Sequence, residues 1–205
     1  MSCKSGIKQV AAMLATISLL SGCSGLGNVA PAAQRLDLGS PQVSQQQTPP
    51  ARSRPLVLSP VAAPAMLQNV GVIWRMGPEG IPNRYATFEW SATPDSLVHE
   101  RLVDRLSRDF AVLEQGVSSQ DLTLRINLLQ FEQIYTSDGS RNSGVVGVQA
   151  VLLRGTEVLS QYRITESVTA DANDAPAGAR ALRTATDRMV DNIATWINQT
   201  LQKQK

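Results

Sequence analysis

An alternation of apolar and polar residues over segment 121–132 constrains the fold more than any other feature of the chain. Its first apolar positions are Leu122, Leu124, Ile126 and Leu128. A period of two predicts a strand with one buried face. The alternation then slips by one residue, so that Leu129 and Phe131 become the apolar positions. Because a one-residue slip sends side chains to the opposite face, we expect a β-bulge near Leu128 and Leu129.

Similar patterns predict the other elements. Further strands are expected at 70–74, 85–90, 145–153 and 158–168, with a short one at 110–113 and a hairpin turn at 154–157. One helix is expected from Pro94 to about Arg108, capped by Thr93, and a second from Pro176 to about Leu201. The main elements follow the order β-β-α-β-β-β-α. This order predicts an α+β domain in which two helices pack on one face of a mainly antiparallel sheet.

The N-terminus has the three parts of an export signal in residues 1–22. Lys4 and Lys8 are basic, and the apolar run 10–20 is too short to span a bilayer. The sequence Leu20-Ser21-Gly22-Cys23 then resembles the bacterial lipobox. The resemblance implies cleavage before Cys23 and a covalent lipid on its sulfur. The alternative is an ordinary secretory signal with an incidental cysteine.

The residue after Cys23 bears on the choice of membrane. An aspartate at this position tends to retain a lipoprotein on the inner membrane, and Ser24 stands here instead. The pattern favours the periplasmic side of the outer membrane.

Residues 23–54 are expected to form a disordered tether behind the lipidated cysteine. The segment is rich in Pro, Gln, Ser and Gly and has few large apolar residues. The folded domain is therefore expected to cover residues 55–205. No disulfide is expected in that domain, because Cys3 leaves with the signal and Cys23 carries lipid.

Composition argues against several kinds of function. The residues after Gly22 hold 17 basic and 17 acidic side chains, and this neutral balance does not favour nucleic-acid binding. His99 is the only histidine, which with no spare cysteine leaves too few preferred ligands for zinc. A solvated helix position explains His99 better than a Ser-His-Asp triad. We expect no catalytic residue, no metal and no cofactor other than the lipid.

The domain resembles the ABC-type transport auxiliary lipoprotein family, which includes the PqiC-type lipoproteins. The most specific part is segment 83–90, Asn-Arg-Tyr-Ala-Thr-Phe-Glu-Trp, followed by Pro94 and a leucine-rich helix. Segment 122–131 and an amphipathic C-terminal helix support it. One departure is the loop 77–82, which replaces a stretch common in the family.

The resemblance implies a non-enzymatic protein that docks to an inner-membrane ABC permease, its ATPase and an Mce-type substrate-binding protein. Such systems move lipids or other hydrophobic compounds between membranes, and a homo-oligomer is compatible with the role. Tyr85, Phe88 and Trp90 are the candidate partner contacts. Core packing is the default explanation for each tryptophan.

Two other functions are considered. A regulatory lipoprotein that reaches a cell-wall synthase fits the tether and the small domain equally well. A hydrolase fits the residue inventory poorly.

Overall fold

The longest strand of the sheet, Leu122–Tyr135, lies between the strands that precede it in the chain and the strands that follow it. The computed structural model describes residues 32–40, 54–114 and 121–204, and residues 33–205 belong to one compact unit. Eight strands, two α-helices and a short 3-10 helix at Ala65–Leu67 occur in the described residues. The strands are β1 (Gln34–Leu36), β2 (Pro55–Leu58), β3 (Gly71–Met76), β4 (Asn83–Trp90), β5 (Ala111–Leu113), β6 (Leu122–Tyr135), β7 (Asn142–Arg154) and β8 (Glu157–Thr169). The helices are α1 (Pro94–Leu106) and α2 (Ala175–Gln202).

One edge of β6 carries the long antiparallel pairing with β7, and on the other side of β6 the strands β3 and β4 form a second antiparallel pair. The strands β6, β7 and β8 pair along nearly their whole length, and Gly155 at φ 58° turns the chain between β7 and β8. A positive φ favours glycine, because a Cβ is strained there. The hairpin predicted at 154–157 is therefore confirmed.

The other edge of β6 is shared by two groups of strands. Its first residues pair with β2 in parallel, and β2 pairs in parallel with β5. Its last residues pair in parallel with β3, which continues through β4 to β1. The prediction of an α+β class with a sheet and two helices is confirmed. The sheet is mixed, with more parallel pairings than the hydrophobic pattern indicated.

The bulge predicted in β6 is confirmed. Leu128 pairs with Val148, whereas Phe131 pairs with Val146, so that one residue of β6 is extra between them. The extra residue turns Leu129 outward, where it is 39% exposed, and returns Phe131 to the buried face, where it is 1% exposed. The bulge therefore keeps one continuous core face despite the slip in the sequence pattern.

Both helices lie on the core face of the sheet. Their apolar residues form one cluster with those of the strands. The helix α1 begins at Pro94, but the Thr93 hydroxyl lies 2.9 Å from the Ser96 hydroxyl and makes no hydrogen bond to the backbone. The helix α2 is capped by the Asp174 carboxylate, which accepts from the Ala177 N–H at 2.7 Å.

One part of the predicted tether is folded. Gln34–Leu36 pair in parallel with β4, and Leu38 is 2% exposed in the core. The buried Arg101 guanidinium donates to the carbonyl oxygens of Leu38 and Gly39. The prediction of disorder for residues 23–54 is therefore wrong for residues 32–40, because a buried cation and a strand edge hold them. The other residues of this segment before Arg54, including Cys23, lie outside the described residues.

We expect Arg101→Met to loosen this segment. Loss of the two hydrogen bonds, each to a charged donor, removes about 1.5–3 kcal/mol per bond of local stabilisation. Hydrogen exchange in residues 34–38 should then be about tenfold faster or more. Arg108→Met is the control, because Arg108 makes only a 3.4 Å ion pair with Asp104 on the surface. Equal exchange of residues 34–38 in the two variants would contradict the assignment.

The helix α2 passes close to the sheet at Gly144 in β7. A Cβ there would lie 2.4 Å from the Leu182 backbone nitrogen, which cannot move without the helix. Gly147 lies on the same strand, and a Cβ added there would point to the opposite face of the sheet. A Cβ at Gly147 would meet only side chains, the nearest being the Thr165 hydroxyl at 3.2 Å.

The pair Gly144→Ala and Gly147→Ala tests this packing. We expect Gly144→Ala to lower the free energy of unfolding by about 1–3 kcal/mol, because overpacking forces the helix backbone away. Gly147→Ala should change it by less than about 1 kcal/mol. Urea unfolding of both variants measures the difference, and similar losses in the two would show that helix contact is not the cause.

Candidate functional site

A group of four aromatic side chains lies at the end of the sheet beside the start of α2. We call Trp74, Tyr85, Phe88 and Tyr135 the aromatic cluster. The Tyr85 ring lies 6.0 Å from Trp74 and 6.0 Å from Phe88, and the Trp74 ring lies 5.9 Å from Tyr135. All four side chains are only partly buried. The cluster therefore presents aromatic surface outside the core.

The sheet places the cluster through an irregular pairing. Between Gly71 and Ile73 the partner residue on β4 changes from Glu89 to Arg84, so that β4 has extra residues there. The irregularity puts Tyr85 and Phe88 in edge contact. A strict alternation along β4 would place Ala86, Phe88 and Trp90 on one face, but Ala86 is exposed and Trp90 is buried.

A buried polar network supports the cluster from behind. The Gln133 side chain is 0% exposed, and its Oε1 accepts from the Tyr85 hydroxyl at 2.8 Å. Its Nε2 donates to the Asn142 Oδ1 at 2.7 Å and to the Asp174 carbonyl oxygen at 3.0 Å. The hydroxyls of Tyr85 and Tyr135 lie 2.7 Å apart. The network thus connects β4, β6, β7 and the first turn of α2.

Burial controls the ionisation of Tyr85. Desolvation raises the pKa of its hydroxyl above the ordinary value of 10.0, and the hydrogen bond between the Tyr85 and Tyr135 hydroxyls raises it further. The folded state therefore favours the neutral phenol. The raised pKa of Tyr85 contributes fully to the free energy of unfolding below pH 10, and this contribution is lost as the pH rises above that value.

Two exposed apolar residues extend the aromatic surface. Met76 at the end of β3 is 42% exposed, and Ile81 in the following loop is 81% exposed. A Cβ on Gly139 would lie 3.4 Å from the Met76 Cε, so that the turn between β6 and β7 borders the same region. We call the aromatic cluster together with Met76 and Ile81 the apolar tip. Exposed apolar surface of this kind is a feature of protein and lipid contacts.

The predicted partner contacts divide between surface and core. Tyr85 and Phe88 lie in the apolar tip. Trp90 is 2% exposed, with its ring 5.3 Å from Phe131, so it is a core residue and the prediction of a partner contact at Trp90 disagrees with its burial. Cys23 lies outside the described residues. The sequence pattern missed Trp74 and Tyr135, because they join the tip through parallel pairing of distant strands.

His99, for which the sequence favoured a solvated helix position over a catalytic triad, is only partly buried on α1. Asp95, Ser96 and His99 line one cleft beside α1. The Ser96 hydroxyl contacts Thr93, and within the described part of the chain the His99 Nδ1 has no hydrogen-bond partner. Among residues 32–40, 54–114 and 121–204 no group of three or more His, Cys, Asp and Glu could hold a metal ion. No helix among them is long and apolar enough to cross a membrane.

Replacement of Tyr85 by phenylalanine tests the network. Loss of the hydroxyl leaves the buried Gln133 acceptor without its tyrosine donor, so we expect a loss of about 1–3 kcal/mol in unfolding free energy near pH 7. The stability of the variant should also fall less steeply above pH 10 than that of the native protein. Tyr162→Phe is the matched control, because the Tyr162 ring stacks on Trp196 at 5.6 Å without a place in the network. Equal losses in both variants would contradict this role of Tyr85.

The whole domain is similar to proteins of known structure and to a known family. A crystal structure of a Xanthomonas campestris protein superposes with a TM-score of 0.66 at 19% identity, over 77% of this chain and 93% of that one. A second, uncharacterised protein gives 0.60 at 19% identity, over 70% and 92%. These likenesses support the fold alone. No curated protein matches the chain.

The family comparison covers most of the domain and begins at the last residue of β1. The model of the ABC-type transport auxiliary lipoprotein component matches residues 36–194. The match extends from the end of β1 to within α2 and includes the residues of the apolar tip. The chain therefore belongs to the family of ABC-type transport auxiliary lipoprotein components.

Proposed function

We propose that this protein is a non-catalytic docking subunit of an Mce-type ABC system that moves lipids or other hydrophobic compounds between membranes. The family match over residues 36–194 carries the proposal. In this role the protein acts on the periplasmic side of the outer membrane. It binds the Mce-type substrate-binding protein and, through it, the permease and the ATPase.

The anchor in this proposal is lipid on Cys23. Burial of acyl chains contributes about 0.8 kcal/mol per methylene, so two or three chains make release negligible. Since Gln34 already belongs to the folded sheet, ten residues lie between it and Cys23. At full extension they reach about 40 Å. The docking of β1 therefore holds the domain closer to the membrane than a tether of residues 23–54 would.

The docking surface in this proposal is the apolar tip. Aromatic side chains held rigidly by a buried network lose little conformational entropy on binding, and such residues dominate the energy of many interfaces. Tyr85 and Phe88 provide this anchored part, and Ile81 provides apolar area at the rim. Arg75 is held behind the tip by its 2.6 Å ion pair with Glu132.

Site-specific photocrosslinking in intact cells tests the docking surface. A photoreactive phenylalanine analogue at position 88 should crosslink to an Mce-type or ABC component. The same analogue at Arg163, an exposed position on the face of β8 away from the helices, is the matched control. The crosslinked partner is identified by mass spectrometry.

Three results would bear on the proposal. Capture of a transport component at position 88 and its absence at 163 would support it. Capture of a cell-wall synthase at position 88 would favour a regulatory lipoprotein instead. In the Cys23→Ser variant, we expect the protein to leave the membrane fraction and the crosslink to be lost. An unchanged membrane fraction would contradict the lipid anchor.

A further inference from the structure

The side of the sheet opposite the helices carries exposed arginines. Arg125 in β6 alternates with core residues of that strand, so its side chain points away from the helices. Arg163 in β8 follows Tyr162, whose ring stacks on Trp196 of α2, and it therefore also points away from the helices. Both arginines are exposed to solvent.

Arg84 of β4 lies on the same side of the sheet. It is paired with Ile73, the neighbour of Trp74, and Trp74 is paired with Gln133 on the helix side. Because successive residues of a strand point to opposite faces, Ile73 and Arg84 lie away from the helices. The Arg84 side chain crosses β3 at Gly71, where an added Cβ would lie 2.8 Å from the Arg84 Cδ.

The charge of this side is positive over its middle. Within residues 32–40, 54–114 and 121–204 none of these three arginines makes an ion pair. Glu132, a carboxylate on this side, is 3% exposed and pairs with Arg75 at 2.6 Å. The other carboxylates near this side lie close to or beyond the ends of strands, namely Glu79, Glu89 and Asp121. The arginines are therefore free to meet an anionic surface.

Two exposed apolar side chains lie among these charges. Met66 and Leu129 are each 39% exposed, and together with Arg75 and Glu132 they line one shallow hollow of about 30 Å³. The bulge in β6 is what turns Leu129 to this side, where it contributes nothing to the core. We call Arg84, Arg125, Arg163, Met66 and Leu129 the basic face.

The attachment of the chain brings a lipid surface close to this face. Ten residues lie between Cys23 and Gln34, the first residue of β1, and β1 forms an edge of the sheet. Lipid on Cys23 would hold that edge within the reach of this short spacer. This step rests on the lipid anchor of the proposed function.

We propose that the basic face lies on an anionic lipid surface. The guanidinium groups of Arg84, Arg125 and Arg163 donate hydrogen bonds to the phosphate oxygens of lipid headgroups. Met66 and Leu129 enter the boundary between the headgroups and the acyl chains. The apolar tip lies at the end of the sheet on the helix side, so it stays accessible to a protein partner.

The spacing of the arginines favours a surface over a single ligand. They stand on every second strand of the sheet, in β4, β6 and β8. Since neighbouring strands are about 4.8 Å apart, the strands that carry them are about 10 Å apart. One phosphate group cannot contact all three arginines, whereas separate headgroups in one plane can.

Fluorescence quenching in vesicles tests the orientation of the full-length protein. No free thiol remains once Cys23 carries lipid and Cys3 leaves with the signal, so one bimane label can be placed on a single new cysteine. Thr165→Cys puts the label on the side of the basic face, and Thr195→Cys puts it at an exposed position of α2. The vesicles contain phosphatidylglycerol and phosphatidylethanolamine, with a quenching nitroxide on some headgroups.

We expect quenching at position 165 and none at position 195. The quenching should disappear near 1 M NaCl, where the screening length is about 3 Å. In the Thr165→Cys protein, Arg125→Gln should lower the ratio of docked to undocked molecules about fivefold, the effect of one basic residue at an anionic surface. Arg188→Gln is the matched control, because Arg188 is exposed on α2 without an ion pair among the described residues, and it should leave the ratio unchanged.

The outcomes separate the basic face from the lipid anchor. Flotation with neutral phosphatidylcholine vesicles reports the anchor alone, whereas the contrast between positions 165 and 195 on anionic vesicles reports the basic face. Circular dichroism shows whether each variant is folded, and Arg84→Gln replaces Arg125→Gln if the latter unfolds. Equal quenching at the two positions, or equal quenching at position 165 on neutral and anionic vesicles, would overturn the proposal. Equal effects of Arg125→Gln and Arg188→Gln would overturn it as well.

Discussion

The side chain of Gln133 is the contact on which much of the structure depends. It is wholly buried, and its amide is shared by a tyrosine of β4, an asparagine of β7 and the first turn of α2. Gly178 makes this possible, since a Cβ there would lie 2.3 Å from the Gln133 side chain. The helix can approach the sheet at this point only because that residue has no side chain. A fully satisfied buried amide then fixes one register of helix on sheet, which an apolar contact of similar size would specify less sharply.

The same contact explains why the apolar tip is rigid. Tyr85 is held at its hydroxyl by Gln133 and at its ring by Trp74 and Phe88. A partly buried aromatic ring fixed at both ends presents its accessible surface to a partner without losing rotamer freedom on binding. The neighbouring Asn142 donates to the Ala172 carbonyl oxygen and to Asn173 Oδ1, each at 2.7 Å. The loop before α2 is thereby joined to the same support.

Sequence patterns predicted the elements whose apolar residues recur over many positions. The strand β6, its bulge and the two helices belong to this group, because a repeated period is a local property of the chain. The strand β1 was missed because Leu36 and Leu38 stand in a polar segment, and their burial depends on Arg101, more than sixty residues away. Trp90 was named with Tyr85 and Phe88 as a candidate partner contact, with core packing as its default explanation, and its burial agrees with the default. The apolar tip as a whole could not be predicted, because parallel pairing of β3 with β6 leaves no local pattern.

The two candidate surfaces draw on different halves of one strand. Arg125, in the first half of β6, belongs to the basic face. The tip lies beside Gln133 and Tyr135 at the other end. The bulge at Leu129 separates these halves and is the place where the strand edge changes from one group of partners to the other. Since the bulge restores the core face without adding a turn, both surfaces are held by one unbroken strand. A change in the pairing of β6 would therefore disturb the apolar tip and the basic face together, whereas a change in either surface alone would leave the other intact.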